Sequence, residues 1–301
     1  MIRKRPHEIK QFYKYMEYGT AIKVAENATL RWSSSKIFND PFDVPLDILD
    51  GFDFESVNQA FLTRLIKLLK NPDELDLSQF GDDFGTFFHL LKCGEQSSRE
   101  RLIECILSSP QAFTGHIGEG LFDEIRNAWK CMYSEKRILC LSKVWNSAAM
   151  WHHYAKGHNG CVFEFACNEE NDSAWLAAEP VKYIDGDLQI NTADGFVDAL
   201  LEGGAAGIAK QIHDEYTYTK TLDWKYEEEY RVSTFKRPQD TGDYTDYEFA
   251  EEDLSAVIMG EKMEPEARSR VVDLISSKYP HTVIWVAYKE GGRHLKKRLH
   301  C

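Results

Sequence analysis

The chain of 301 residues contains no apolar run that approaches the ~20 residues needed for a membrane-spanning helix. Its first residues, MIRKRPHEIKQFYKYM, also lack the continuous apolar segment that a secretory signal requires. We therefore expect a cytoplasmic protein that does not engage a membrane.

Several well-known catalytic signatures are missing. The sequence contains no G-x-G-x-x-G, P-loop, G-x-S-x-G, H-E-x-x-H or EF-hand pattern, which disfavours the dehydrogenases, kinases and hydrolases that use them. There is also no C-x-x-C pair, and the number of cysteines, 7, is odd. We interpret these cysteines as reduced thiols that mostly serve packing.

Positive charge is scarce. Lysine and arginine number 36 against 49 aspartates and glutamates, which gives a net charge of −13. Long-range repulsion then opposes general binding to nucleic acid or to an anionic membrane. Two basic clusters are exceptions, Arg3-Lys4-Arg5 and Arg293 with Lys296-Lys297-Arg298. They would suit a phosphate backbone if the termini converge, and solvated termini are the alternative interpretation.

Hydrophobic residues make up 43% of the chain and aromatic residues 13%, enough to bury a large core. Apolar residues recur at helical spacing between about 52 and 135, whereas short strand-like runs occur before and after that segment. We therefore predict one α+β domain, residues 1–301, with a helical insertion at about 52–135. The Asp40-Pro41 pair predicts the start of a helix. The predicted strands are 12–16, 29–33, 137–142, 160–165, 229–235, 254–259 and 282–287, with 181–183 as a further short candidate.

Four short segments combine aromatic and polar residues in a distinctive order. They are Tyr13-Lys14-Tyr15, Phe38-Asn39-Asp40-Pro41-Phe42-Asp43, Met150-Trp151-His152-His153-Tyr154-Ala155 with His158 and Gly160, and Trp224-Lys225-Tyr226-Glu227 with Glu229-Tyr230-Arg231. From about residue 12 to 261 this pattern resembles a bacterial family of domains of unknown function. The resemblance implies a toxin or phage-defence role, and it leaves a regulatory protein partner open.

The order of elements is also similar to that of the ADP-ribosyltransferases. A helix ending in Tyr-Ala is followed by an apolar strand and by a late strand that opens on a glutamate. This resemblance implies a split β-sheet core whose cleft binds NAD as a substrate. It places Tyr13, Lys14 or Tyr15 where the family has a first-strand His or Arg, Tyr154 at the middle position, and Glu229 at the late glutamate.

The chemistry of NAD cleavage explains why a carboxylate matters. Breaking the nicotinamide–ribose bond builds positive charge on the sugar, as in glycoside hydrolysis, and a positioned carboxylate stabilises that charge. On an extended strand Glu227 and Glu229 would point to one face. We therefore expect Glu229 to act on the ribose and Glu227 to position or deprotonate an acceptor.

The remaining candidates are assigned to NAD binding. Tyr154 joins the two glutamates as a catalytic candidate, and the binding candidates are Tyr13, Lys14, Tyr15, Asn39, Trp151, His153 and Arg231. Two of these have structural alternatives, since Arg231 suits an ion pair with a neighbouring carboxylate and Asn39 suits a turn. No metal is expected, because adjacent histidines such as His152 and His153 face different sides of a helix.

The sequence therefore favours an NAD-consuming ADP-ribosyltransferase-like enzyme with an unknown acceptor, which is a protein, a nucleic acid or a small molecule. One alternative is a non-enzymatic sensor that binds a nucleotide or a partner and uses the helical insertion as its interaction surface. A second alternative is a nuclease in which Asp40, Asp43 and Glu229 hold magnesium.

Overall fold

A computed structural model describes residues 5–49, 52–74, 76–115, 117–291 and 294–300. Arg3, Lys4 and Arg293 of the predicted basic clusters lie outside this part. The chain forms two compact units. The first, called the sheet unit, comprises the described parts of Met1–Asn39, Glu135–Tyr183 and Lys220–Cys301, and the second, called the helical unit, comprises those of Asp40–Ser134 and Ile184–Thr219.

The strands are β1 (Gln11–Met16), β2 (Thr29–Ser33), β3 (Lys136–Ser142), β4 (Cys161–Ala166), β5 (Glu179–Pro180), β6 (Lys182–Ile184), β7 (Thr219–Thr221), β8 (Glu229–Phe235), β9 (Tyr244–Glu248), β10 (Leu254–Met259), β11 (Val283–Glu290) and β12 (His294–Leu299). The α-helices are α1 (Tyr18–Asn27), α2 (Phe54–Lys70), α3 (Asp82–Cys93), α4 (Gln96–Ser108), α5 (Gln111–Thr114), α6 (Glu119–Ser134), α7 (Ala148–His153), α8 (Ala193–Tyr218) and α9 (Pro265–Lys278).

The sheet unit is built on a mixed sheet. Its strand order is β12-β11-β10-β4-β1-β3-β2-β9, with β8 paired to β3 and β5 paired to β8. The β10–β11 pair is parallel, and the β1–β4 and β3–β8 pairs are antiparallel. Strand β4 is central because its Cys-Val-Phe-Glu-Phe run is buried on both faces. The predicted α+β class is confirmed.

Strand β3 shares one of its edges between two other strands. Strand β8 pairs with β3 from Lys136 to Ser142, so β1 and β2 pair with the opposite edge. Strand β1 meets it at Tyr13↔Ser142 and β2 meets it at Ser33↔Ile138. Between these points the ammonium group of Lys14 donates to the Cys140 carbonyl at 2.7 Å. The sheet therefore opens between β1 and β3.

The two faces of this sheet carry different cores. On one face Phe12, Phe163 and Val257 pack with residues of α1 and α9, such as Ile22 and Ile275. The other face carries a smaller cluster that includes Tyr13, Tyr15 and Val162 and is covered by Met150 and Trp151 of α7. Alternation along β1 and β4 assigns the side chains to the two faces.

The helical unit contains α2 to α6 and α8. Helix α2 begins at the N-cap Asp53, whose side chain accepts from Glu55 N at 3.0 Å, and it buries Val57, Phe61, Leu65 and Leu69 at helical spacing. The helices expected between about 52 and 135 are therefore present, and α8 joins them in this unit. One domain with an insertion remains a prediction. No described helix is both long and apolar enough to cross a bilayer.

Three sequence-based expectations need correction. Asp40-Pro41 starts no helix; it forms a turn in which the Asp40 carboxylate accepts from Phe42 N at 2.9 Å. Helix α7 ends at His153, just before the Tyr154-Ala155 pair that was expected to end it, and Lys156 and His158 beyond it adopt positive φ angles of 48° and 72°. Strands β9 and β12 were not predicted, since their polar, half-exposed patterns lack an apolar run.

We expect the glycine between α7 and β4 to be essential for packing. A Cβ on Gly160 would lie 2.1 Å from the Met16 carbonyl oxygen, and that backbone belongs to a central strand. Gly160→Ala should therefore destabilise the fold by about 1–3 kcal/mol or more. The matched control is Gly19→Ala in α1, where a Cβ meets nothing within 4 Å. It should be neutral or stabilising by up to about 1 kcal/mol. Thermal unfolding of both variants checks the difference, and equal melting temperatures would contradict it.

Candidate functional site

Glu229 and Arg231 form a buried ion pair at the start of β8. Glu229 is 4% exposed and Arg231 is fully buried. The guanidinium contacts both carboxylate oxygens, with Nε donating to Oε1 at 2.7 Å and Nη2 donating to Oε2 at 3.0 Å. Residues i and i+2 on a strand share a face, which makes this two-point contact possible. Arg231 thus forms the ion pair with a neighbouring carboxylate that was the structural alternative to a role in NAD binding.

Lys220 of β7 connects the two glutamates. Its ammonium group lies 2.7 Å from Oε2 of Glu227 and 2.7 Å from Oε2 of Glu229. The Lys220 side chain is 7% exposed, and those of Glu227 and Glu229 are 4% and 5% exposed. Burying charges is costly unless they are paired and hydrogen-bonded, so this cation is what allows two carboxylates to lie side by side.

Glu227 reaches this position by a different route from the one predicted. It is the last residue of a 3₁₀ turn, Leu222–Glu227, and not part of an extended strand. Glu228 follows in the left-handed conformation, with φ 44° and ψ 51°, and strand β8 begins only at Glu229. The strand-alternation argument was therefore wrong for Glu227, although the two carboxylates do converge.

Tyr154 joins the same cluster from α7. It caps the C-terminus of that helix, and its hydroxyl donates to Glu227 Oε1 at 2.6 Å. Both oxygens of Glu227 are then engaged, one by Tyr154 and one by Lys220. The structure therefore brings together Tyr154, Glu227 and Glu229, the predicted catalytic residues, and adds Lys220 and Arg231 as their partners.

The two carboxylates differ in acidity. Burial acts to raise the pKa of Glu229, but the charges of Arg231 and Lys220 outweigh burial and hold that pKa well below its usual range. For Glu227, burial raises the pKa above its ordinary value, and Lys220 offsets the rise only in part. Burial, followed by the nearby Glu227 charge, raises the pKa of Tyr154. Near neutrality Glu229 is ionised and Tyr154 is a neutral donor.

Three further residues of the cluster were not predicted from the sequence. Ser142 donates to the Glu227 carbonyl at 2.6 Å, and the Tyr183 hydroxyl accepts from Glu229 N at 2.8 Å. Cys140 of β3 is paired with Arg231 of β8, and burial, followed by the nearby Glu229 charge, raises the pKa of its thiol. The tripeptide Leu-Cys-Leu before Ser142 indicates only a buried strand, so no local signal identifies these contacts.

The first-strand candidates divide between the two faces of the sheet. Tyr13 is paired with Ser142, and Ser142 is paired with Glu229, so these three side chains lie in one row on the face that also carries Tyr15. The row continues to Glu164 of β4, which pairs with Tyr13. Lys14 starts from the opposite face and donates to the Cys140 carbonyl, so it does not join the cluster.

Tyr15 and Trp151 pack in the same apolar group as Tyr154, and neither they nor His153 or Asn39 hydrogen-bond to the carboxylates of the cluster in the described structure. The Tyr15 hydroxyl donates to the Val144 carbonyl at 2.9 Å, and Trp151 Nε1 donates to the Trp145 carbonyl at 2.8 Å. The exposed His153 ring lies 5.9 Å from that of Tyr226. Asn39 is exposed and makes no side-chain contact with these residues. Their assignment to NAD binding remains a prediction.

A cavity of about 610 Å³ adjoins the cluster. Glu229 and three tyrosines help to line it, together with two lysines. The complete lining is Lys143, Pro180, Val181, Tyr183, Lys225, Tyr226, Glu228, Glu229 and Tyr230. Cavities of this size are typical of small-molecule sites.

Among the residues that the structure describes, no group of three or more His, Cys, Asp or Glu side chains is arranged to hold a metal ion. The His158 ring stacks on the Trp151 ring, with a centroid distance of 5.4 Å and an interplanar angle of 3°. Burial lowers its pKa, followed by the effect of the nearby cations Lys262 and Lys289. It is thus a packed, neutral ring near pH 7.

Part of the chain matches a known family model. Residues 150–232 match the model of a family described as a protein of unknown function, DUF2971. This segment contains Tyr154, Lys220, Glu227, Glu229 and Arg231, whereas Cys140 and Ser142 of β3 precede it. The match is narrower than the resemblance over about residues 12–261. No curated protein and no solved structure matches the chain.

We expect removal of the bridging cation to destabilise the protein strongly. Lys220→Met leaves two buried carboxylates without their shared partner, which should cost about 3–5 kcal/mol at pH 8. One carboxylate of the variant then has a folded-state pKa above its unfolded value. The folded variant therefore binds more protons than the unfolded variant. The difference in free energy of unfolding between the wild type and Lys220→Met should shrink as the pH falls from 8 to 5.

Chemical denaturation of Lys220→Met at several pH values tests this expectation. Arg270→Met is the control, because its pair with Glu26 at 3.0 Å is exposed and should contribute less than about 1 kcal/mol at any pH. A pH-independent deficit for Lys220→Met would contradict the assignment of Lys220 as the partner of both carboxylates.

The left-handed backbone at Glu228 predicts an unusual preference. Glycine adopts φ 44° without the Cβ penalty that alanine carries, and both substitutions remove the Lys143 ion pair equally. Glu228→Gly should therefore be more stable than Glu228→Ala by about 1 kcal/mol. The difference between their melting temperatures measures this, and a less stable glycine variant would show that the turn is not formed as described.

Proposed function

We propose that the protein is an NAD-consuming ADP-ribosyltransferase-like enzyme with Glu229 as its principal catalytic residue. One observation carries the proposal, the row of Tyr13, Ser142 and Glu229 across the neighbouring strands β1, β3 and β8. The ADP-ribosyltransferase resemblance implies one residue on the first strand, a Tyr or Ser in the middle and a late Glu. The register supports this order with Ser142 as a second middle residue beside Tyr154.

The opening of the sheet between β1 and β3 adds support. Strand β1 pairs with β3 only at the end that carries Ser142, and β2 takes over the same edge at Ile138. The proposed split-sheet core requires two neighbouring strands to separate next to the catalytic residues, as β1 and β3 do here. The adjoining cavity of about 610 Å³ then provides space for part of a dinucleotide.

In the proposed reaction the nicotinamide leaves with the electron pair of the bond between its ring nitrogen and the ribose. Positive charge develops on the ribose, and the ionised Glu229 stabilises it. An acceptor oxygen forms the new bond to the same carbon and gives up its proton. Glu227 takes that proton, because its raised pKa is the direction that a general base needs.

The cations have a distinct role in this scheme. At rest, Lys220 and Arg231 balance the charges of Glu227 and Glu229. A substrate phosphate that attracts one of these cations would leave net negative charge beside the ribose. Substrate binding would thereby strengthen the electrostatic effect of the glutamates.

One observation favours a second candidate function, nucleotide binding without turnover. Both oxygens of Glu229 accept hydrogen bonds from cations, and the residue is 4% exposed. A carboxylate in this state is suited to holding strands together. The same cavity would then serve a sensor module.

Nicotinamide release from NAD tests the enzymatic proposal with water as the acceptor. The wild-type protein should release nicotinamide, and Glu229→Gln should reduce the rate by about 100-fold or more, since it removes the charge that stabilises the ribose cation. Tyr154→Phe is a milder variant that removes one hydrogen bond to Glu227 and should reduce the rate by about tenfold. Liquid chromatography of the reaction measures the product.

Asp246→Asn is the matched control, because its pair with Arg31 at 3.0 Å is exposed and lies on β9. This variant should keep the wild-type rate. Folded wild-type protein that binds NAD but releases no nicotinamide would support the sensor instead. Release that persists unchanged in folded Tyr154→Phe and Glu229→Gln would exclude this cluster as the active site.

A further inference from the structure

The cavity beside Glu229 has an unequal supply of hydrogen-bond donors and acceptors. Its two carboxylates already have cationic partners. Glu228 Oε2 lies 2.9 Å from the Lys143 ammonium, and Glu229 is held by Arg231 and Lys220. A ligand that brought only donors into this cavity would have to compete with those ion pairs.

Four donor groups of the lining, by contrast, have no acceptor among the described residues. They are the ammonium group of Lys225 and the hydroxyl protons of Tyr183, Tyr226 and Tyr230. The Tyr183 oxygen does accept from Glu229 N at 2.8 Å, which leaves its proton available. A ligand rich in acceptor oxygens would satisfy these donors.

The charge around the cavity also favours a ligand rich in acceptor oxygens, because it is positive overall. The lining and the adjoining cluster contain one more positive than negative side chain, in a chain with a net charge of −13. The cations are Lys143, Lys220, Lys225 and Arg231, and the anions are Glu227, Glu228 and Glu229. An anion is therefore attracted here, against the average field of the protein.

We propose that this cavity binds the phosphate groups of a nucleotide, with Lys225 as the main ligand and Lys143 as the second. The identity of that nucleotide as NAD rests on the proposed function. Lys225 is exposed and has no ion pair with a described residue. It can therefore bind a phosphate without first breaking an existing ion pair. Tyrosine rings on the cavity wall supply apolar area for the nucleoside.

Lys143 is available as a second ligand because its present contact is weak. The Lys143 and Glu228 side chains are 42% and 40% exposed, and ion pairs at such exposure contribute little to stability. A phosphate can replace the Glu228 carboxylate as its partner. Glu228, the present partner of Lys143, directly precedes Glu229 in the chain. A phosphate bound to Lys143 would therefore lie next to the proposed ribose site.

Calorimetric titration of the full chain tests this inference with pyrophosphate, ADP-ribose and nicotinamide as probes. ADP-ribose and pyrophosphate should bind, and Lys225→Gln should weaken both by about tenfold, because a charge-assisted contact is lost. Lys225→Gln with Lys143→Gln should weaken them further. Nicotinamide, which carries no phosphate, should be unaffected by either variant. Lys23→Gln, at another exposed lysine, on α1, is the control and should bind like the wild type.

The outcomes separate this inference from the enzymatic proposal. ADP-ribose binding that depends on Lys225, without nicotinamide release from NAD, supports the phosphate site and overturns the enzyme. Nicotinamide release with an unchanged KM for NAD in the double lysine variant overturns the phosphate site and leaves the enzyme. Absence of pyrophosphate and ADP-ribose binding to folded wild-type protein also overturns the phosphate site. Lys225 and Lys143 are exposed, so their variants are expected to fold.

Discussion

The charged cluster depends on one ammonium group. Lys220 contacts Glu227 and Glu229 at 2.7 Å each, and through Glu227 it is linked to the Tyr154 hydroxyl. These groups belong to β7, a 3₁₀ turn, β8 and the end of α7. Because buried carboxylates repel each other strongly, the close approach of the Glu227 and Glu229 side chains depends on this cation.

Much of the fold could be predicted from local sequence patterns. The strand from Cys161 and the helices between about 52 and 135 were predicted because apolar runs and helical spacing act within a few residues. The convergence of Tyr154 with Glu227 and Glu229 was expected from a family-like order of motifs. Its physical basis is the pairing of β8 with β3, which no short window of sequence contains.

The remaining features depend on contacts between distant residues. Lys220 follows a long helical pattern and looks like a solvated helix end, so its two carboxylate partners were not foreseen. Ser142 acquires its place beside Glu229 only through strand register. The left-handed backbone at Glu228 was missed because three consecutive glutamates resemble an exposed strand edge. Strand β12 was missed for a different reason, because its polar, half-exposed residues contain no apolar run.

The cysteines show how the two units differ in chemical accessibility. Cys161 is buried as expected, but Cys93, Cys105 and Cys131 are exposed, and all three lie on helices of the helical unit. In the sheet unit, burial raises the pKa values of the Cys140, Cys161 and Cys167 thiols, the last to about 11. Maleimide dyes react with accessible thiolate, so among the described cysteines they would mark the helices and leave the charged cluster unmodified.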